Sequence, residues 1–337
     1  MNPATRDLGM RLSIVTTLYR SAPFIDEFYR RCLEAANRVT SDFELVFVND
    51  GSPDDSLDVT LALHQKDSRI VVVDLSRNFG HHRAIMAGLQ HTTGDLVFLL
   101  DADLEEDPAN LTIFHEIMRR EACDVVYGVQ AKRRGNVFER VSGNLFYWLI
   151  RTLGELPIPQ NLTTMRLMTR RYVNSLLEYR EREMILSGLW LLTGYKQVAQ
   201  TVTKQPRTHK TNYRLGARVK LALDHITSFS SGLLYKVFYF GVGIFLLSLL
   251  VMIFYSVRYF MTQSPVAGFT SIVASIWMFG GLQTLLIGLV GTYIAHIFRE
   301  TKNRPYVTVR ELYRRDEKSN EKEIEDVLNG HQTLRRY

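Results

Sequence analysis

The hydrophobic pattern along the chain changes period, then changes character. From Leu12 to Tyr127, short β-branched runs alternate with stretches that are apolar on one helical face. The alternation predicts strands over Leu12–Thr17, Phe43–Asn49, Ile70–Leu75, Leu96–Leu100 and Asp124–Tyr127. It predicts helices between them over Ile25–Asn37, Leu57–Gln65, Arg83–Gln90 and Leu111–Arg120. Asp50-Gly51-Ser52-Pro53 closes the second strand as a turn signal. Strand and helix in strict alternation imply an α/β domain with a mostly parallel, Rossmann-like sheet covered on both faces. Such open sheets take their ligands at the carboxyl ends of the strands.

After Lys236 the pattern becomes continuous. Val237–Val257 holds no Asp, Glu, Lys or Arg over 21 residues, against roughly 20 needed for a helix to cross a bilayer. A second such run reaches Ile297, with His296 near its far end. Together they predict a transmembrane hairpin, with spans over 237–257 and 267–297. Lys236 precedes the first span, and Arg299, Lys302, Arg304 and Arg310 follow the second, while the connector 259–265 has no basic residue. The positive-inside bias therefore places both ends in the cytoplasm. Just upstream, Val219, Ala222, Leu223, Ile226 and Phe229 recur at helical spacing. This segment reads either as an interfacial helix on an anionic leaflet or as an amphipathic helix packed on the soluble domain. The expected organisation is a catalytic domain over 1–213, an amphipathic helix over 214–235, the hairpin over 236–298 and a charged tail over 299–337.

Composition sharpens this picture. The chain has 337 residues, 46% hydrophobic, with a formal net charge of +6. That is too much apolar material for a disordered chain. The mean hydropathy of −0.07 averages a polar domain with two apolar spans. Cys32 and Cys123 supply neither a disulfide framework nor the spacing of a zinc or redox site. Met1–Arg11 has no apolar core of a signal peptide, so the N-terminus is expected in the cytosol. The basic excess flanks the spans, which reads as topology signal and phosphate cradle rather than as a nucleic-acid surface.

The strand ends carry the candidate chemistry: Thr17 and Tyr19 after the first, Asn49 and Asp50 after the second, Asp74, Arg77 and Asn78 at the third, and Asp101-Ala102-Asp103 after the fourth. A D-x-D triplet alone occurs by chance in a chain this long. At the end of the buried run LVFLLDADL, however, it offers two carboxylates to a hard divalent cation bridging phosphates.

Three ordered motifs, Val48-Asn49-Asp50-Gly51-Ser52, Leu75-Ser76-Arg77-Asn78-Phe79-Gly80 and Leu100-Asp101-Ala102-Asp103-Leu104 followed by Pro108, resemble the family-two glycosyltransferases of glycosyltransferase-A fold. With the terminal spans and Lys302-Asn303-Arg304-Pro305, the resemblance narrows to the membrane-anchored polyprenyl-phosphate glycosyltransferases, relatives of dolichyl-phosphate mannose synthase and bactoprenol glucosyltransferases. It implies that Asp50 reads the base, that Asp101 and Asp103 hold the donor diphosphate through Mg²⁺ or Mn²⁺, and that Thr17, Tyr19, Asp74 and Asn78 line the nucleotide sugar. The expected partners are a nucleotide sugar, UDP-linked, a polyprenyl phosphate, membrane lipids and further copies of the same chain, with no nucleic acid. The expected location is the inner membrane, with the catalytic domain and both termini cytoplasmic.

The chain departs from its relatives in places. Glu105 stands where many have Gln, as a third metal ligand or as a solvated loop acid. Asn161 and Thr164 replace two acids, one often considered a catalytic base. A phosphate acceptor needs no such base, because its second pKa lies near 6 and its oxygen is ionised at pH 7. Basic residues must then offset the charges of acceptor and donor. The candidates are Arg133, Arg134, Arg166, Arg207, Lys210 and Arg214, with Asp103, Arg166 and Arg207 nominated as the catalytic set. Two other readings compete: a polysaccharide synthase with a hydroxyl acceptor, and a silent membrane adaptor that binds a nucleotide sugar. The first lacks a Gln-x-x-Arg-Trp motif, and the second is motivated by the missing acids.

Overall fold

In a computed structural model, the structure describes residues 9–130, 161–179, 186–203, 268–302 and 304–315, with isolated positions at 181, 239–240, 243, 250, 253–254, 257 and 261. The first half is an α/β unit: β1 (Leu12–Leu18), α1 (Ile25–Asn37), β2 (Phe43–Asn49), α2 (Ser56–Lys66), β3 (Ile70–Leu75), α3 (His81–Gln90), β4 (Leu96–Leu99), α4 (Asn110–Glu121) and β5 (Val125–Gln130). Then come β6 (Leu162–Thr169), α5 (Arg170–Leu177), α6 (Leu186–Leu192), β7 (Gln197–Val202), α7 (Phe269–Thr301) and β8 (Val309–Tyr313).

The sheet order is β7-β5-β6-β4-β1-β2-β3-β8. The pairs β1–β2, β1–β4, β2–β3 and β5–β7 are parallel. β6 runs antiparallel between β4 and β5, and β8 antiparallel along β3. The domain is thus an α/β unit with a mixed, mostly parallel sheet.

Strand alternation sorts the core into two layers. Ile14, Leu45, Phe47, Val72 and Phe98 share one cluster with Phe28 and Cys32 of α1 and Phe114 of α4. The rings of Phe28 and Phe47, and of Phe98 and Phe114, meet edge to face at 6.0 and 6.1 Å. α3 covers the opposite face so closely that a Cβ on Gly88 would lie 2.7 Å from Val15 and 2.8 Å from Val48. With both faces covered, β1 to β4 have buried residues on either side, and their carboxyl ends converge at one edge.

Three strands fall outside the sequence expectation. β6 and β7 were not anticipated, and β8 lies in what reads as a charged tail. Residues 304–315 belong to the α/β unit instead, because Val-Arg-Glu-Leu-Tyr pairs as an edge strand whose outward positions tolerate charge.

In the second unit, α7 is a continuous helix of 33 residues, about 50 Å long at 1.5 Å per residue. Among the described residues, no helix is long and apolar enough to cross a membrane; several side chains of α7 fall outside that set. The amphipathic segment 214–235 and most of the span 237–257 lie outside the described residues.

Candidate active site

The site forms where β1, β2, β3 and β4 end. Asp50 follows β2, is 2% exposed, and uses both carboxylate oxygens on one loop: Oδ1 accepts from Phe79 N at 2.7 Å and Oδ2 from Gly80 N at 3.0 Å. Burial pushes its pKa up, opposed by those two amides. Asn78 donates from Nδ2 to the Asp50 carbonyl at 3.1 Å, closing the same loop from the other side. Asp50 therefore holds the Ser76–Gly80 loop in place, whatever else it contacts.

Gly51 makes this possible. Its φ of 57° is left-handed, and a Cβ there would stand 2.5 Å from the backbone of Arg77 and Asn78. Gly51→Ala is expected to cost about 1–3 kcal/mol from the strained backbone alone. Thermal unfolding and nucleotide binding should both register it, with binding falling further than stability because the loop itself is displaced.

Asp74 takes a different place from the one expected. It is 1% exposed, accepts from Asn49 Nδ2 at 2.7 Å, and pairs with Arg310 Nη1 of β8 at 3.2 Å. Arg310 also donates from Nη2 to the Ser76 carbonyl at 2.9 Å. Asp74 is thus a buried positioning group rather than a residue facing substrate. Arg310 is a residue that sequence reading had placed only as a topology signal.

Tyr19 is 48% exposed at the end of β1. It precedes Arg20, which is left-handed at φ 57° and donates its backbone N–H to Ser52 Oγ at 2.7 Å. Thr17 lies within 3.0 Å of His81 at the start of α3, so these strand ends do gather.

Beyond β4, Asp101 is partly exposed and Asp103 exposed. Asp103 Oδ1 accepts from Glu105 N at 3.1 Å. Leu104 between them is left-handed, φ 58°, which breaks the strand alternation. Glu105 turns inward, 8% exposed. Among the described residues, no group of three or more His, Cys, Asp or Glu is placed to hold a metal ion, and the burial of Glu105 departs from the alternative of a solvated loop acid. Two hard carboxylates still suit Mg²⁺ or Mn²⁺, which complete their shells with water and substrate phosphates. A cation held there would neutralise the leaving diphosphate.

Arg166 is the clearest correction. It is 1% exposed, in register with Leu99 and Tyr127 at the centre of the sheet. Its guanidinium stacks on Trp190, 2.9 Å from the ring centre. It donates to the carbonyls of Thr164 and Thr163 at 3.3 Å. Burial pushes its pKa down to about 9, with Tyr172, Glu106 and Tyr127 opposing, so it stays charged at neutral pH. Its flanks, Met165, Leu167 and Met168, were the signal for burial. Glu106, also missed, is 1% exposed and accepts from Met165 N at 3.1 Å. Glu106 and Arg166 together fix the backbone of 163–165, the segment that carries the Thr164 replacement. Arg133, Arg134, Arg207, Lys210 and Arg214 lie outside the described residues.

The profile of "Glycosyl transferase family 2" matches residues 13–177, the stretch that builds this site. A Mycobacterium tuberculosis protein classed only as a glycosyltransferase is 44% identical over 91% of this chain and 90% of its own. The SfII prophage-derived bactoprenol glucosyl transferase of Shigella flexneri is 31% identical over 90% of this chain and 99% of its own. Among solved structures, the mannosyltransferase PcManGT from Pyrobaculum calidifontis, in complex with GDP-Man and Mn²⁺, aligns at 17% identity with a TM-score of 0.44, covering 66% of this chain and 64% of that one. On near full-length identity at this level, the chain belongs to glycosyl transferase family 2 and is a glycosyltransferase related to the bactoprenol glucosyl transferases.

Proposed function

We propose that the chain transfers a sugar, with inversion, from a UDP-linked donor to a polyprenyl phosphate of the undecaprenyl type, at the cytoplasmic face of the inner membrane. The product would be a lipid-linked sugar for O-antigen, lipopolysaccharide or other envelope glycosylation. The observation that carries this reading is the alignment with a bactoprenol glucosyl transferase over 99% of that protein's length, terminal region included.

The chemistry agrees. The acceptor phosphate arrives with its oxygen ionised, so the loss of a carboxylate at Thr164 removes nothing the reaction needs. The protein's task is to orient that oxygen behind the anomeric carbon and to offset the charge of the leaving diphosphate. Asp101 and Asp103 would hold the cation; Arg207, Lys210, Arg214, Arg133 and Arg134 are the candidates to meet the acceptor. The hairpin 236–298 would bring this site to the bilayer. Ile272, Ile276, Ile287, Ile294 and Ile297 of α7 are each more than half exposed, which suits a helix surrounded by lipid.

The test is transfer by the purified full chain in vesicles containing undecaprenyl phosphate, with Mn²⁺ and a panel of radiolabelled nucleotide sugars. Label extracting with the lipid is expected for one UDP-sugar. Label in a polymer, or nucleotide binding with no lipid-soluble label from any donor, would overturn the proposal.

A further inference from the structure

The parallel ladder between β1 and β4 ends at Val15 and Leu99, with one further bond from Leu100 N to the Val15 carbonyl at 3.2 Å. Past that point, among the described residues, no ladder pairing continues from β4 to Asp101. The connection passes to a side chain. His81 opens α3 directly after Gly80, whose amide holds Asp50. Its Nδ1 lies 3.0 Å from Thr17 Oγ1 on β1, and its Nε2 lies 3.5 Å from Asp101 Oδ1 beyond β4.

The partners suit one tautomer. A threonine hydroxyl can donate to an unprotonated ring nitrogen, and the hydrogen then resides on the other nitrogen. With Thr17 donating to Nδ1, the hydrogen resides on Nε2, the nitrogen that lies 3.5 Å from the Asp101 carboxylate. The ring joins the ends of two strands and the start of the helix whose leading loop Asp50 secures.

Resting on the reading of Asp101 as a cation-holding residue of the donor site, we propose that His81 is a positioning residue. It fixes the plane of the Asp101 carboxylate before cation and diphosphate arrive. Outer partners that touch a metal ligand orient it in this way, and their loss typically costs about 10–100-fold in metal affinity.

The experiment is calorimetric binding of UDP and GDP to the full chain, with and without Mn²⁺, alongside the phosphate-free nucleosides uridine and guanosine. If the unmodified protein binds neither diphosphate in a Mn²⁺-dependent manner, the cation-site reading itself fails, independently of His81. If it binds one, His81→Ala is expected to weaken that Mn²⁺-dependent binding by about 10–100-fold and to leave nucleoside affinity unchanged. His81→Gln, whose side-chain amide can still donate towards Asp101, should recover part of the loss. Diphosphate binding by His81→Ala equal to that of the unmodified chain would overturn the proposal. Equal loss of nucleoside and diphosphate binding would also overturn it, since that is the signature of a merely structural residue.

Discussion

Asp103→Asn is expected to lower sugar transfer by about 10²–10³-fold, the scale on which removing one electrostatic stabiliser of a developing charge is felt. The substitution is clean because of what Asp103 does locally. Its side chain is exposed, and its Oδ1 accepts the Glu105 N–H. The amide oxygen of Asn can accept the same bond, so the left-handed turn at Leu104 survives and only the charge is lost. Transfer to undecaprenyl phosphate in vesicles should collapse while the thermal midpoint stays put. Unimpaired transfer would remove Asp103 from the cation site.

Arg166→Met is expected to act the other way, on the fold. Breaking a buried charge partnership by removing one member costs about 3–5 kcal/mol, and in a domain of this size each kcal/mol moves the midpoint by about 2–4 °C. A melting temperature lower by about 6–20 °C should follow. The physical causes are specific. The carbonyls of Thr163 and Thr164 would lose their donor, Trp190 would lose the guanidinium on its face, and buried Glu106 would lose a favourable charge interaction. Replacing both members, Glu106→Gln with Arg166→Met, should cost less than Arg166→Met alone, because no buried charge remains while the Gln amide oxygen can still accept from Met165 N. Thermal unfolding of the two variants decides it. A double variant less stable than the single would show that the charge partnership is not the source of the loss.

These two expectations mark where sequence reading worked and where it stopped. α1, β2 and β3 fall on the residues that periodicity assigned them, because each is local: an amphipathic face or a doubly buried run announces itself within a dozen positions. The D-x-D segment was legible as a strand end, since Asp101 and Asp103 follow β4 and are partly exposed and exposed. Arg166 was misread because a lone arginine in Met-Arg-Leu-Met carries two opposite messages, a useful cation or a core residue with a buried partner. The partners, Glu106 and Trp190, are distant in sequence. Asp74 failed likewise: its acid at a strand end looked like chemistry until Arg310, 236 residues later, took up one of its oxygens. His81 was not legible either, because nothing local in the sequence links it to Thr17 or Asp101.

The return of the chain in β8 also sets a schedule. Arg310 reaches Asp74 and the Ser76 carbonyl from 236 residues downstream, and Ser76 N donates to the Thr308 carbonyl at 2.9 Å. At about 5–20 residues per second of synthesis, β3 waits roughly 10–50 s on the ribosome before its outer neighbour exists. Through that interval the edge of the sheet beside the donor loop is bare and Asp74 lacks its cation. The apolar segments of 236–298 leave the ribosome first, so the Ser76–Gly80 loop is latched only after that part of the chain has already been made.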